Sequence, residues 1–106
     1  MEKVKLQAQY GLYINGQWRN ASDGATYNAE SPADGSHLAV CAQGSREDVE
    51  AASAAAWEAF KTWKKTTPAQ RAALLNKIAD IIDANKEHLA MVESMDNGKP
   101  IRETMN

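Results

Sequence analysis

Short apolar and aromatic runs separated by turn residues fill the first part of the chain. Two of these runs, at residues 12–14 and 17–19, flank Asn15-Gly16. Both central residues of a type I′ turn need a positive φ, which asparagine and glycine accept, so this dipeptide is a strong hairpin signal. The sequence therefore predicts two antiparallel strands joined by a two-residue turn.

Two further strands are predicted after the hairpin, at residues 25–30 and 37–42. The segment between them, Ser-Pro-Ala-Asp-Gly at 31–35, is a predicted turn, because proline presets φ and the Asp-Gly pair completes the reversal. Residues 1–10 are polar, and we expect no regular structure there. The prediction is a set of short antiparallel strands over about residues 12–42.

At Ser45 the spacing of apolar residues changes from that of a strand to that of a helix. Ser45 can cap the first turn, and Asp48 can reach back to the cap, as in a capping box. Acidic residues follow the cap and lysines lie near the helix end, an order that suits the helix dipole. The apolar positions are Val49, Ala52, Ala56, Phe60 and Trp63.

A second helix is predicted from Thr67, which can cap it, with Pro68 at the first helical position and Gln70 completing a capping box. A break is expected near Ala84-Asn85, after which Leu89, Val92 and Met95 continue the helical spacing. The apolar stripe of the second helix consists of Leu74, Leu75, Ile78, Ile81 and Ile82.

The last residues predict a helix end followed by a helix start. Gly98 can adopt the left-handed conformation that closes helices, so one helix is expected to end near Asn97. Pro100 suits the first position of another helix. Residues 101–106 carry no C-terminal stop signal, and so short a helix is marginal alone. We therefore expect the chain to be the front part of a longer protein, truncated at residue 106.

The predicted fold class is α+β, with short antiparallel strands followed by two to three helices, the latter over about residues 45–106. Residues 1–106 would form one amino-terminal segment of the protein. Four short strands cannot cover the apolar stripes of the helices, since even a hairpin needs a packed face. We expect these stripes to pack against a larger core outside this chain.

Composition narrows the class of protein. The chain has 106 residues, a net charge of −2 and one cysteine. The charge does not favour nucleic acid or an anionic membrane as a partner. One cysteine excludes an internal disulfide and suits a reducing compartment. No stretch has the apolar length of a signal sequence or a membrane helix. We expect a cytoplasmic protein that binds neither nucleic acid nor membrane.

Few residues suggest chemistry by themselves. Cys41 lies in an apolar strand away from basic residues, which favours a small packed residue over a nucleophile. His37 and His88 lack the spacing of zinc ligands. Glu93 and Asp96 share a helix face and could form an acid–base pair, although a solvated helix end is the more common arrangement. No glycine-rich phosphate-binding motif occurs. The residues alone therefore define no active site.

Several segments taken together resemble the amino-terminal part of the NAD(P)-dependent aldehyde dehydrogenase superfamily. They are LYINGQW, SPADG, SREDVEAA, TPAQRAALLNKIADII and ESMDNGKP, in this order and at these spacings from Tyr10 to Asn106. Within the superfamily, the SP turn and DNGKPIRET are most similar to bacterial acetaldehyde-type enzymes. Ser31 stands where most relatives have asparagine.

The resemblance implies a fold and a reaction. The chain would be part of the α/β aldehyde dehydrogenase fold, in an enzyme that forms homo-oligomers. Such enzymes oxidise an aldehyde to a carboxylic acid. A cysteine attacks to give a thiohemiacetal, hydride passes to NAD or NADP, and a glutamate activates the hydrolytic water. These residues and the dinucleotide-binding segments would lie beyond Asn106. The isolated chain is expected to be an inactive scaffold part.

The resemblance also implies a monovalent cation site. Its ligands here would be the backbone carbonyls of Ala29 and Glu30 and the carboxylate of Asp96, with a further ligand outside this chain. Hard oxygen ligands suit sodium or potassium, by the logic that applies to calcium. Alternatively, Asp96 could cap its own turn through backbone contacts.

A second class of function stays open, namely a self-contained interaction module whose helices present their apolar stripes to a partner. The length of the reading frame that encodes the chain would separate the two. The sequence does not specify the aldehyde, the choice of NAD or NADP, or the oligomeric state.

Overall fold

The computed structural model describes residues 4–106. Five short strands precede four helices along this part of the chain. In chain order they are β1 Gln9–Tyr10, β2 Leu12–Ile14, β3 Gln17–Arg19, β4 Thr26–Glu30, β5 His37–Ala42, α1 Arg46–Trp63, α2 Pro68–Ala84, α3 Lys86–Asn97 and α4 Ile101–Thr104. The predicted mixed class, strands first and helices afterwards, is confirmed.

The predicted hairpin is present as the antiparallel pair β2–β3, with Tyr13 opposite Trp18. Asn15 and Gly16 have φ values of 53° and 75°, as a type I′ turn requires. The rings of Tyr13 and Trp18 lie 4.9 Å apart between centroids, which adds a cross-strand contact to the turn geometry.

A second sheet has the strand order β1-β5-β4. Its β1–β5 pair is parallel, with Gln9 opposite Val40 and Tyr10 opposite Cys41. Two expectations need correction here. Residues 9–10 form a strand, although residues 1–10 were expected to be irregular, and their pairing is not antiparallel. The first three of those residues lie outside the described part of the chain.

The helix boundaries follow the predicted caps. The side chain of Ser45 accepts a hydrogen bond from the backbone N–H of Asp48, and Thr67 and Gln70 form the second capping box. The break falls at Asn85, between α2 and α3. Pro100 differs by one position from the prediction, because its ψ of 142° is extended and makes it the residue before α4 rather than the first helical one.

The described residues form two compact units. The hairpin unit comprises Gln7–Asn28 and Ala39–Thr66, and β2 contacts α1 within it. The helical unit comprises residues 4–6, Ala29–Leu38 and Thr67–Asn106, and α3 contacts both α2 and α4 within it.

Few apolar side chains are buried in either unit. Ala21 and Ala39 are buried in the hairpin unit, and Ala90 and Met91 in the helical unit. Many large apolar side chains are instead exposed, including Trp57 of α1. Within the described residues, α2 has no buried residue. These units therefore leave the apolar stripes of α1 and α2 exposed, as the sequence predicted, whereas the apolar side chains of α3 are partly covered.

Candidate functional site

Two turns of the helical unit come together at Gly98 and Pro32. Gly98 ends α3 with a φ of 82°, and its N–H donates to the carbonyl of Ser94 over 2.9 Å. A Cβ at position 98 would lie 3.0 Å from Cγ of Pro32. The two turns therefore lie against each other, and a side chain at position 98 would press on Pro32. This contact brings the segment containing Asp96 next to the one that follows Glu30.

The turn at Ser31 is held by its own hydrogen bonds. Ser31 is 3 % exposed, and its N–H donates to the carbonyl of Ser36 over 2.8 Å. Its carbonyl accepts from the N–H of Gly35 over 2.7 Å, and its Oγ from the N–H of Ala33 over 3.3 Å. The Asp34 carboxylate accepts from the N–H of Ser36, closing an Asx turn. The backbone directly after Glu30 is therefore fixed.

The side chain of Asp96 is exposed, two residues before Gly98. Among residues 4–106 its carboxylate has no hydrogen-bond or ion-pair partner, so the alternative in which it caps its own turn is not observed. Ala29 is half-buried and the side chain of Glu30 is exposed. The residues of the predicted cation site thus lie on two segments that contact each other. The predicted carboxylate ligand, Asp96, has no other partner among residues 4–106.

A different polar cluster, centred on Asp48, lies in the hairpin unit. Asp48 is 2 % exposed, and its carboxylate accepts hydrogen bonds from three residues. Nη2 of Arg19 donates to Oδ1 over 2.7 Å, and the N–H of Ser22 lies 3.1 Å from both oxygens. The N–H and Oγ of Ser45 donate to Oδ2 over 3.0 and 2.9 Å. We call these four residues the Asp48 cluster.

The Asp48 cluster stabilises the ionised carboxylate. The backbone hydrogen bond from Ser45 contributes most to lowering the pKa of Asp48 well below its usual range. Burial opposes this, and the bonds from Ser22 and Arg19 add to it. Because the Ser45 hydroxyl donates to Oδ2, the Ser22 hydroxyl, 2.8 Å away, donates to Ser45 Oγ. The cluster ties β3 and the loop after it to the start of α1, which is a structural role.

Sequence reasoning found half of this cluster. The capping-box spacing identified Ser45 and Asp48. It did not identify Arg19 or Ser22, which precede Asp48 by 29 and 26 residues and carry no local signal for the contact.

The other candidate catalytic or metal-binding residues do not come together in one site. Cys41 is half-buried in β5, opposite Tyr10. The side chains of His37, His88 and Glu93 are exposed. Over the described residues, no three histidine, cysteine, aspartate or glutamate side chains are grouped so that they could hold a metal ion.

An open cavity of about 690 Å³ lies at the break between α2 and α3. Asp83, Lys86, Glu87 and His88 are among its lining residues. Exposed side chains of both positive and negative charge line the cavity, so its charge does not favour one class of ligand.

Within residues 4–106, no helix combines the length and the apolar character that crossing a bilayer requires.

Comparison with known proteins agrees with the motifs. A model of the aldehyde dehydrogenase family matches residues 18–106. The long-chain-aldehyde dehydrogenase of an Acinetobacter species is 44 % identical over 103 residues, which is 97 % of this chain and 20 % of that protein. An aldehyde dehydrogenase of Vibrio cholerae is 45 % identical over 102 residues, or 96 % of this chain and 20 % of that protein.

Solved structures show the same relationship. The crystal structure of an NAD-dependent aldehyde dehydrogenase from Sinorhizobium meliloti matches with a TM-score of 0.88 at 34 % identity, covering 95 % of this chain and 21 % of that one. The chain spans about a fifth of the length of the curated relatives it matches. Because the family model covers most of the chain and its relatives match nearly all of it, the chain belongs to the aldehyde dehydrogenase family.

Proposed function

We propose that the chain is the amino-terminal scaffold part of an enzyme that oxidises an aldehyde to a carboxylic acid with NAD or NADP. The observation that carries the proposal is the family match over residues 18–106. The relatives named above are aldehyde dehydrogenases about five times as long, and one solved relative is NAD-dependent.

The geometry of the described residues supports a scaffold role. Cys41 is half-buried in a strand, and its partner across the β1–β5 ladder is Tyr10 rather than a base. A cysteine nucleophile needs an activating base or positive charge nearby. In this proposal the reactive cysteine, the glutamate and the dinucleotide site belong to the part of the enzyme outside these residues.

The test compares the 106-residue chain with the complete polypeptide of its natural reading frame. A panel of short and long aldehydes is offered with NAD or NADP, and formation of the reduced nicotinamide is followed by absorbance. We expect turnover by the complete polypeptide and none by the chain alone. Turnover by the chain above a protein-free control would contradict the scaffold role. A complete polypeptide that oxidises no aldehyde would contradict the enzyme proposal.

We further propose that Ala29, Glu30 and Asp96 contribute to a monovalent cation site. Two observations support it, namely the contact between Pro32 and Gly98 and the carboxylate of Asp96, which has no partner among residues 4–106. Backbone carbonyls and one carboxylate provide hard oxygen ligands with a single formal charge, which suits sodium or potassium better than a transition metal.

The cation proposal is tested by thermal unfolding of the complete polypeptide in potassium, sodium or tetramethylammonium chloride at equal ionic strength. We expect a higher melting temperature with one of the small cations, and the difference should disappear in the Asp96→Asn variant. Glu93→Gln, a neutralised carboxylate one helical turn away, is the matched control and should keep the difference. Equal melting temperatures in all three salts would refute the site.

Assembly into a homo-oligomer and a cytoplasmic location stay predictions. The similarity to acetaldehyde-type enzymes does too.

A further inference from the structure

The sequence contains two Asn-Gly dipeptides, Asn15-Gly16 in the hairpin turn and Asn97-Gly98 at the end of α3. Asparagine is among the thermolabile residues. It loses its side-chain amide most readily when glycine follows, because glycine has no side chain to hinder attack by its own backbone nitrogen. Both asparagine side chains are exposed, so exposure alone does not distinguish the two positions.

The two dipeptides differ in the glycine nitrogen that would attack. The N–H of Gly98 donates to the carbonyl of Ser94 over 2.9 Å, in the hydrogen bond that closes α3. Among residues 4–106, the N–H of Gly16 has no hydrogen-bond partner. A nitrogen that donates a hydrogen bond must break that bond before it can lose its proton and attack, and breaking the bond costs free energy. The nitrogen of Gly16 needs no such step.

The space around the two glycines differs as well. A Cβ at position 16 would meet no atom within 4 Å, whereas a Cβ at position 98 would lie 3.0 Å from Cγ of Pro32. A ring that forms on the nitrogen of Gly16 therefore has open space around it. At Gly98 the neighbouring turn crowds the backbone.

The backbone of each asparagine must also rearrange before its side chain can reach the next nitrogen. Asn97 is the last residue of α3, so its helical turn has to open. Asn15 has a φ of 53° in a two-residue turn between strands of three residues each. Such a turn at the end of a short hairpin opens locally without the rest of the fold, at a low free energy.

We propose that Asn15 is a site of spontaneous deamidation in the folded protein, and that the hydrogen bond of Gly98 protects Asn97 from the same reaction. The nitrogen of Gly16 loses its proton to a base in solvent and bonds to Cγ of Asn15. The Cγ–Nδ2 bond breaks, and ammonia leaves with a proton from water, so that a succinimide ring remains. Water then opens the ring. The net change converts the amide to a carboxyl group, with one water consumed and one ammonia released.

The ring opens in two ways, and the two products affect the hairpin differently. Opening at Cγ gives aspartate, which accepts the positive φ of this turn as asparagine does and adds a negative charge. Opening at the backbone carbonyl carbon gives isoaspartate, which inserts an extra methylene into the main chain between the strands. A two-residue type I′ turn has no room for that insertion. The pairing of Tyr13 with Trp18 and the contact of β2 with α1 both depend on this turn.

The test is incubation of the complete polypeptide at mildly alkaline pH, followed by peptide mapping with mass spectrometry that distinguishes aspartate from isoaspartate. Synthetic peptides spanning residues 12–19 and 94–101 give the rates of the two local sequences without the fold. We expect product at residue 15, at a rate that rises with pH. Relative to its peptide, Asn97 should be slowed about tenfold more than Asn15, which is roughly the cost of one broken hydrogen bond.

Asn15→Gly is the matched variant, because glycine accepts the same turn and has no amide to lose. It should form no product at residue 15 and lose no melting temperature on incubation. The incubated wild-type fraction that contains isoaspartate should melt at a lower temperature than Asn15→Asp.

Three results would overturn the proposal. They are an unmodified Asn15 in the folded protein while its peptide reacts, equal slowing of the two asparagines by the fold, and an isoaspartate fraction that melts like Asn15→Asp. Each measurement is made without an aldehyde substrate, so its outcome is independent of the proposed function.

Discussion

Among single residues, Asp48 is held by hydrogen-bond donors that surround its carboxylate and favour an ionised side chain. Its carboxylate accepts hydrogen bonds from Arg19, Ser22 and Ser45 at once, and the residue is 2 % exposed. An ionised carboxylate can only accept, so it matches a site in which every neighbour donates. The side chain therefore links segments that are far apart in sequence.

We predict that Asp48→Asn destabilises the protein in a pH-dependent way. The amide places an NH₂ group where donors from Ser22 and Ser45 converge, so one set of bonds is lost. Because the folded state lowers the pKa of Asp48, its contribution is fully present above the pKa of the unfolded chain and is lost as the pH falls through the lower folded value. The difference in melting temperature between wild type and variant should be large at neutral pH, and it should begin to shrink only as the pH falls below about 4.

Thermal unfolding of the complete polypeptide at several pH values measures this difference. Glu50→Gln is the control, since its carboxylate pairs with Arg46 on the surface and is 67 % exposed. Surface pairs contribute little, so this variant should unfold close to wild type at every pH. A constant difference between Asp48→Asn and wild type across the acid range would contradict the role assigned to the ionised carboxylate.

Cys41 is the one cysteine in the sequence, and its position favours a packing role over a catalytic one. It is half-buried in β5 and its thiol has the size of a small apolar group. We predict that Cys41→Ser in the complete polypeptide keeps substantial aldehyde oxidation and costs on the order of 1 kcal/mol in stability, for a hydroxyl in a partly apolar position. Steady-state kinetics and urea unfolding check both. A folded variant that loses more than about a hundredfold in turnover, far beyond the effect of one lost packing contact, would show a catalytic role.

At the scale of secondary structure elements, sequence signals succeeded where the cause is local. The Asn15-Gly16 turn and the two capping boxes were predicted correctly, because each depends on residues within one turn of the chain. Strand β1 was missed, because two residues carry no periodicity and their pairing with β5 is set by residues about 31 positions away. Pro100 was misplaced by one residue, since proline suits both sides of a helix start.

The candidate cation site likewise depends on a contact between distant segments, which local sequence signals do not reveal. Sequence resemblance named Ala29, Glu30 and Asp96, but only the structure shows the contact between Pro32 and Gly98 that joins their two segments. The spacing within one segment contains no information on its distance from a turn more than sixty residues away.

Gly98 provides a test of that contact. Alanine at position 98 would keep a φ of 82° and also place its Cβ 3.0 Å from Pro32. We predict a loss of more than about 1–2 kcal/mol, which is the cost of the left-handed conformation alone. Gly35→Ala is the matched control, because its φ is 74° and its Cβ would meet nothing within 4 Å. Urea unfolding should therefore rank Gly98→Ala below Gly35→Ala in stability.

A double-mutant cycle separates the two causes at Gly98. In a Pro32→Ala background the close approach is relieved, so the extra cost of Gly98→Ala should fall towards that of Gly35→Ala. If the two single glycine variants unfold alike, the turns do not press on each other and the support for the cation site is lost.

For the whole molecule, the decisive feature is the imbalance between a small buried core and a large exposed apolar surface. Among residues 4–106, four small or flexible apolar residues are buried, whereas the apolar stripe of α2 (Leu74, Leu75, Ile78, Ile81 and Ile82) alone exposes five leucine or isoleucine side chains. Fully burying one such side chain contributes roughly 1.5–3 kcal/mol, and about half of each is exposed, so covering the stripe contributes on the order of 4–7 kcal/mol per copy.

We predict that the isolated 106-residue chain self-associates or is partly unfolded at micromolar concentration. Two copies that cover each other's stripe gain that energy twice, which offsets the roughly 4–15 kcal/mol cost of association. Sedimentation velocity, with far-UV circular dichroism and a thermal melt, measures both outcomes. Ile78→Asp should reduce association by placing a charge in the stripe, whereas Asn76→Asp on the opposite side should not. A monodisperse wild-type monomer with a cooperative melt would show that these residues fold as a domain in their own right, which would favour an interaction module over a scaffold part of an enzyme.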